Sequence, residues 1–397
     1  MLDNHQNVKF VLEIFVYFLR IVYKSLFITT HISKNRIFFM TYGNDYSKSY
    51  LCSPKYITEY LIRDNRFKNT EIIWLCKNKK DKNYLIKHGI KTVSKSSLFK
   101  YVKCLLTSSV IIDNTMPPHF YSRRTGQLYI ETWHGGGCYK LSGIDLKYQN
   151  PLTRLALLHS SNQISHFISS SSFFSQNVIK ISYGYKGEIL EIGLPRNDYL
   201  FKKTNIKENI CKIYNISSDS KLILYAPTFR DNSKTINKPE DINLNYKELI
   251  NVLSEKYGGK WVVLVRSHGK QKASNASYTI DVSDYPDTQE LLAATDFLIS
   301  DYSSIIWDYS ITNKPCILFC PDLKEYINTR SFYIHIKDWG FPVAETNEDI
   351  HRFVQIFDIC DYKNKMKQHK EKLGSFESGR ACRIVSDLIY NHINSNI

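Results

Sequence analysis

The sequence predicts an α/β protein built as two Rossmann-like halves facing a cleft, with an amphipathic helix in front of them. Short apolar runs alternate with helical stretches in two successive series, which is the pattern of parallel sheets with crossover helices. The length of 397 residues suits two domains, each able to bury a core of its own. With 43% hydrophobic and 23% charged residues the composition is that of a chain folded throughout, and it excludes a disordered protein. The expected boundaries are residues 1–30 for the helix, 31–205 and 206–378 for the two halves, and 379–397 for a last helix packing back on the first half.

Taken in order, Val8–Ile28 (VKFVLEIFVYFLRIVYKSLFI) is apolar and aromatic but interrupted by Lys9, Glu13, Arg20 and Lys24. Its uncharged runs are too short to span a bilayer. It reads as a helix lying at a lipid surface, or as one packed on the protein's own core. Arg36–Thr41, Glu71–Cys76, Ser109–Asp113, Leu128–Thr132, His166–Ser169 and Glu188–Ile192 read as buried strands of the first half. Gly193–Asp198 (GLPRND) reads as a turn. A polar stretch, Lys202–Ser220, separates these from a second series, Leu222–Ala226, Trp261–Val265, Phe297–Ser300 and Pro315–Phe319, with helices at Tyr246–Lys256 and Thr288–Ala294. The amphipathic stretch Arg380–Ile393 closes the series.

A formal net charge of +15 favours polyanionic partners: nucleic acid, anionic lipid or phosphate-rich substrates. Nine dispersed cysteines without a CxxC pair fit a reducing cytoplasm, and Cys316 and Cys320 flank an apolar strand rather than forming a metal site. The first residues do not read as a cleavable signal peptide.

In open parallel sheets ligands sit beyond the carboxyl ends of the strands, and four clusters fall there. After Leu128–Thr132 comes HGGG: His134 can take a proton from a hydroxyl, and Gly135, Gly136 and Gly137 let backbone N–H groups approach an anion. A structural histidine in a flexible turn is the alternative. After Leu222–Ala226 comes PTFRD, where Thr228 and Arg230 can reach phosphate, unless Pro227 merely fixes a turn with a solvated arginine. RSHGK, with Arg266, His268 and Lys270, suits a diphosphate or is a basic surface turn. In SDYSSIIWD, Ser303 and Ser304 fall at a helix N-terminus, where they can hold a phosphate or act as ordinary caps. No GxxxxGK[ST] loop, DxD triplet or His/Cys ligand set occurs, so no essential metal is expected.

As an ordered set from Asn114 to Ile389, these motifs resemble the CDP-glycerol glycerophosphotransferase family of teichoic acid and capsule synthesis. The set comprises TWHGGG (Thr132–Gly137), SGID (Ser142–Asp145), ISSSSFFSQN (Ile168–Asn177), GLPRND, YAPTFRD (Tyr225–Asp231), the RSH turn, SDYSSIIWDYS (Ser300–Ser310) and KPCILFCPDLKEY (Lys314–Tyr326). The resemblance implies a GT-B-like, metal-independent transferase with an acceptor half and a nucleotide-donor half. CDP-glycerol is the implied donor, CMP the leaving group, and a lipid-linked primer or growing polymer the acceptor. It implies His134 as general base and His268 with Arg266 at the diphosphate. Asp301, Ser303, Ser304 and Asp308 come out as donor-holding, and Arg196, Asn197 and Asp198 as shaping the cleft. The setting implied is the cytoplasmic face of an anionic membrane, with no nucleic acid.

Two departures bear on substrate. The family follows its WHG with Thr-Pro-Leu-Lys, whereas Gly136, Gly137, Cys138, Tyr139 and Lys140 stand here, and His268 is followed by Gly269 in place of proline. Transfer of ribitol phosphate or another alditol phosphate, and sugar transfer by a GT-B glycosyltransferase, are the neighbouring readings. A non-catalytic polyanion-binding protein is the reading from a different class.

Overall fold

The computed structural model describes residues 2–42, 48–137, 139–146, 151–228, 244–267 and 278–395, without the side chains of residues 2–13 and of Thr329. The chain divides into two compact units. One is formed by Met1–His134, Ser142–Asp198 and Phe376–Ile397, the other by Gly135–Leu141 and Tyr199–Ser375. The main changeovers thus fall at 198/199 and 375/376, and seven residues that follow His134 belong to the second unit.

The first unit runs α1 (Leu2–Ser25), β1 (Ser33–Phe39), α2 (Cys52–Arg63), β2 (Glu71–Leu75), α3 (Lys79–Lys87), β3 (Lys91–Val93), α4 (Leu98–Thr107), β4 (Ser108–Asp113), β5 (Leu128–Glu131), α5 (Pro151–Ser161), β6 (His166–Ser169) and β7 (Glu188–Glu191). Its strands form a parallel sheet in the order β3-β2-β1-β4-β5-β6-β7. Every residue of β4 is buried, as a central strand covered on both faces requires. GLPRND proves to be more than a turn. Pro195–Phe201 form a 3-10 helix whose first four residues are buried, the fixed φ of Pro195 suiting a tight helical start.

The first helix is divided in character. Ile14, Phe15, Tyr17, Phe18 and Ile21 are exposed, while Tyr23 is buried among the rings of Phe27, Phe120 and Tyr121. Arg20 Nε donates to His119 O at 2.6 Å. The last turn therefore packs on the unit's own core, and the preceding turns leave apolar side chains in solvent. Among the described residues no helix is long and apolar enough to cross a membrane.

The second unit runs α6 (Ile206–Ile213), β8 (Lys221–Ala226), α7 (Tyr246–Tyr257), β9 (Trp261–Val265), β10 (Thr279–Asp281), α8 (Thr288–Ala294), β11 (Phe297–Ser300), α9 (Ile305–Ser310), β12 (Cys316–Phe319), α10 (Leu323–Thr329), β13 (Val343–Ala344), α11 (Asn347–Ile356) and α12 (Ile359–Leu373). The sheet is again parallel, in the order β10-β9-β8-β11-β12-β13. Local signals start and stop these helices: the Asp287 side chain caps α8, Thr346 with Asp349 forms a capping box on α11, and α12 runs from an Asp358 cap to a left-handed Gly374. The stretch Lys202–Ser220, expected as a polar separator, contains α6, which buries Ile210 and Cys211.

The chain then returns to the first unit with α13 (Ala381–Asn394). Val385, Ile389 and Ile393, spaced by one turn, enter the same core as Ile37, Ile112, Ile130 and Leu194.

Candidate active site

At the carboxyl ends of β4 and β5, Asp113 and Glu131 are register partners on adjacent strands. Both side chains are buried. Burial pushes the Glu131 carboxyl well above the usual range and the Asp113 charge adds to the shift; burial pushes Asp113 up as well. Glu131 accepts the backbone N–H groups of Trp133 at 2.8 Å and Met116 at 2.9 Å. Trp133 (φ +53°) and Met116 (φ +79°) are left-handed without being glycine, a conformation that costs roughly 1–3 kcal/mol per residue.

His134 comes next and is exposed. Its Nδ1 lies 2.7 Å from Asn114 O. A carbonyl has no proton to give, so Nδ1 carries the hydrogen and the basic lone pair of the neutral ring is on Nε2. The imidazole is flanked by Trp133, with ring centroids 4.4 Å apart, and by Tyr42 at 5.2 Å. Asn114 Oδ1 accepts the Tyr42 N–H at 2.9 Å, which ties that flank to the same loop.

Arg196, Asn197 and Asp198 serve the framework of the same unit. Arg196 Nη1 donates to Cys52 Sγ at 3.1 Å, and Asn197 Nδ2 donates to Glu377 Oε1 at 2.9 Å. The Asp198 carboxylate accepts the N–H groups of Ala381 and Cys382, at 3.0 and 2.7 Å, and so caps the start of α13. A Cβ on Gly193 (φ +83°) would press on the Glu377 backbone, so the returning chain fits only against glycine.

In the second unit, Asp301 accepts the Thr228 N–H at 2.9 Å and its hydroxyl at 2.6 Å, joining the turns after β8 and β11. Gly136, next after Gly135, lies on α9: a Cβ there would overlap the Trp307 ring and come within 3.0 Å of Asp308 Oδ1. Asp308 Oδ2 accepts from Gln289 Nε2 at 3.1 Å. Ser303 Oγ accepts the Ile305 N–H at a long 3.5 Å, and Ser304 occupies the cap position without a side-chain cap bond. The helix they precede has six residues, so the dipole expected there is correspondingly small. Arg266 donates to the carbonyls of Val282 and Tyr285, at 3.3 and 2.9 Å, and thereby anchors the segment after β10. Arg230 and His268 lie outside the described residues. Among the described residues, no three His, Cys, Asp or Glu side chains are grouped to hold a metal.

Sequence reading singled out neither Asp113 nor the burial of Glu131. It also missed the anchoring of the residues beyond the glycines. Leu141 N–H donates to Ser331 O at 3.0 Å and Tyr333 N–H to Tyr139 O at 2.9 Å. The Tyr139 ring stacks on Trp339 at 4.2 Å, and its hydroxyl meets His369 Nε2 at 2.9 Å.

Burial, helped by the charge of Lys372, pushes His369 down to about 4. A histidine depressed below its unfolded value supports the fold while neutral, so its contribution is complete above about pH 6.5 and is lost as pH falls toward 4. The loss expected is on the order of 2–3 kcal/mol. Urea midpoints measured across this window should fall steeply for the wild type and less steeply for His369→Gln; parallel curves would contradict the assignment.

Each unit is thus an α/β fold on a parallel sheet, the first with an imidazole and the second with hydroxyl-bearing turns at the carboxyl ends of its strands. A model of the CDP-Glycerol:Poly(glycerophosphate) glycerophosphotransferase family matches residues 21–391. The chain belongs to that family of phosphotransferases, and the resemblance read from its motifs is borne out. It is 29% identical over 390 residues to a teichoic acid poly(glycerol phosphate) polymerase of Staphylococcus epidermidis, covering 91% of this chain and 51% of the relative. The chain thus spans about half the length of that polymerase. To a teichoic acid glycerol-phosphate transferase of Staphylococcus aureus it is 28% identical, covering 90% of this chain and 93% of the relative. Among solved structures, the wall teichoic acid polymerase TagF aligns with a TM-score of 0.76 at 26% identity, over 98% of both chains. A TagF variant soaked with CDPG aligns with a TM-score of 0.77 at 25% identity, over 98% of this chain and 97% of the other.

Proposed function

We propose that the chain transfers glycerol phosphate from CDP-glycerol to a terminal hydroxyl of a lipid-linked primer or growing teichoic acid polymer. The observation that carries the reading is the His134 imidazole, fixed through Nδ1 at the carboxyl end of a parallel strand in a chain of this family.

The acceptor hydroxyl gives its proton to His134 Nε2 as its oxygen bonds to the glycerol-bearing phosphorus. The bond from that phosphorus to the bridging oxygen breaks, and CMP departs with the electron pair. Arg266 and His268 steady the diphosphate, while Gly135, Gly136, Thr228, Arg230, Ser303 and Ser304 hold donor oxygens. Asp301 and Asp308 set the turns on which those groups stand, and Arg196, Asn197 and Asp198 shape the acceptor side. No metal takes part. The reaction runs at the cytoplasmic face of an anionic membrane, against which the exposed Ile14, Phe15, Phe18 and Ile21 of α1 lie.

A donor panel tests this. With a lipid-linked acceptor, CDP-glycerol should yield CMP at a rate well above that from CDP-ribitol. Faster release from CDP-ribitol would move the assignment to the five-carbon alditol, and nucleoside diphosphate from a nucleotide sugar would overturn phosphotransfer altogether.

A further inference from the structure

We infer that Glu131 is the positioning residue for His134: its carboxyl ties the loop after β5 to the loop after β4 and so holds the imidazole in one orientation and one tautomer. The inference rests on the reading of His134 as the base. Glu131 Oε1 accepts from Trp133, the residue before the histidine, and Oε2 accepts from Met116, two residues beyond Asn114. Asn114 supplies the carbonyl that receives Nδ1–H, and its own N–H donates to Asp113 Oδ1 at 2.7 Å. Asp113 is the residue paired with Glu131 across the strands. Asn114, Met116, Glu131, Trp133 and His134 thus form a closed circuit in which any slip of one loop moves the acceptor away from the imidazole donor.

The circuit also accounts for the backbone. Left-handed non-glycine residues persist where the surroundings over-determine them. Within this circuit the left-handed non-glycine residues, Trp133 and Met116, are the ones whose N–H groups the same carboxyl grips. Glu131 is fully buried. It therefore acts on the reaction through the imidazole above it, by deciding which ring nitrogen carries the lone pair and where that nitrogen stands.

The test uses the full chain labelled with nitrogen-15 at histidine, with the His134 signals assigned by comparison with His134→Gln. In the wild type, His134 should show the Nδ1-protonated tautomer. Glu131→Ala should give a mixture of tautomers and lower kcat roughly 10²-fold, the scale of a misplaced reacting group, with KM for CDP-glycerol little changed. Glu131→Gln keeps one acceptor and the same volume; it should fall between the two, and it carries the test should the alanine variant not fold. A folded variant with an unchanged tautomer and kcat within about threefold of wild type overturns the inference. A mixed tautomer with undiminished kcat leaves Glu131 as the positioning residue and instead removes His134 from the role of base.

Discussion

His134→Ala is expected to lower turnover of CDP-glycerol by roughly 10²- to 10⁴-fold, the usual contribution of a positioned general base. The imidazole is exposed, and its Nδ1 donates to Asn114 O. An exposed side chain buries little apolar area, and a neutral hydrogen bond contributes about 0.5–1.5 kcal/mol net, so the thermal midpoint should move far less than the turnover. Loss of turnover with the midpoint kept is the signature of chemistry rather than folding. Steady-state CMP release and a melting curve on the same preparation read both quantities. Turnover within a small factor of wild type would eliminate His134 as the base, whatever the family.

The largest stability effect is expected from Asp198→Ala. The carboxylate holds two buried N–H groups at the start of α13, the helix that brings Val385, Ile389 and Ile393 to the core of the first unit. Removing it strands two buried donors at roughly 1–3 kcal/mol each, besides exposing the helix end. A loss of about 2–5 kcal/mol in urea unfolding is expected, with early loss of amide-exchange protection along α13. Asp198→Asn keeps one acceptor oxygen and should fall partway. An unchanged midpoint in the alanine variant would show that the cap contributes nothing to stability.

Much of the fold was legible because buried parallel strands announce themselves as continuous apolar runs. HFIS, WVVLV and FLIS were bounded as the structure has them. The strands that were missed, Lys91–Val93, Thr279–Asp281 and Val343–Ala344, are two or three residues long at sheet edges, too short for periodicity to register. The helix Ile206–Ile213 was hidden by its polar residues: Glu208, Asn209 and Lys212 face solvent and Lys207 pairs with Asp296 at 2.6 Å, while Ile210 and Cys211 turn inward.

At the site, His134 could be singled out because a histidine before three glycines at a strand end suits acid–base chemistry, though a structural turn fits the same residues. The role of Glu131 could not be read the same way. That residue matters through the register of β4 against β5, and neither strand's sequence encodes its partner. The anchoring of Tyr139 by His369 is likewise a meeting of residues 230 positions apart.

The return of α13 has a consequence for biosynthesis. A chain emerging from the ribosome supplies all seven strands of the first sheet, then the main part of the second unit, Tyr199–Ser375, and only afterwards the helix that fills the first core. A nascent polypeptide that has reached residue 375 thus contains every residue of the later unit, while the earlier one still exposes the groove that Val385, Ile389 and Ile393 will occupy. Order of synthesis and order of completion are therefore reversed in this protein, and chaperones that shield apolar surface co-translationally have their natural target on the half made first.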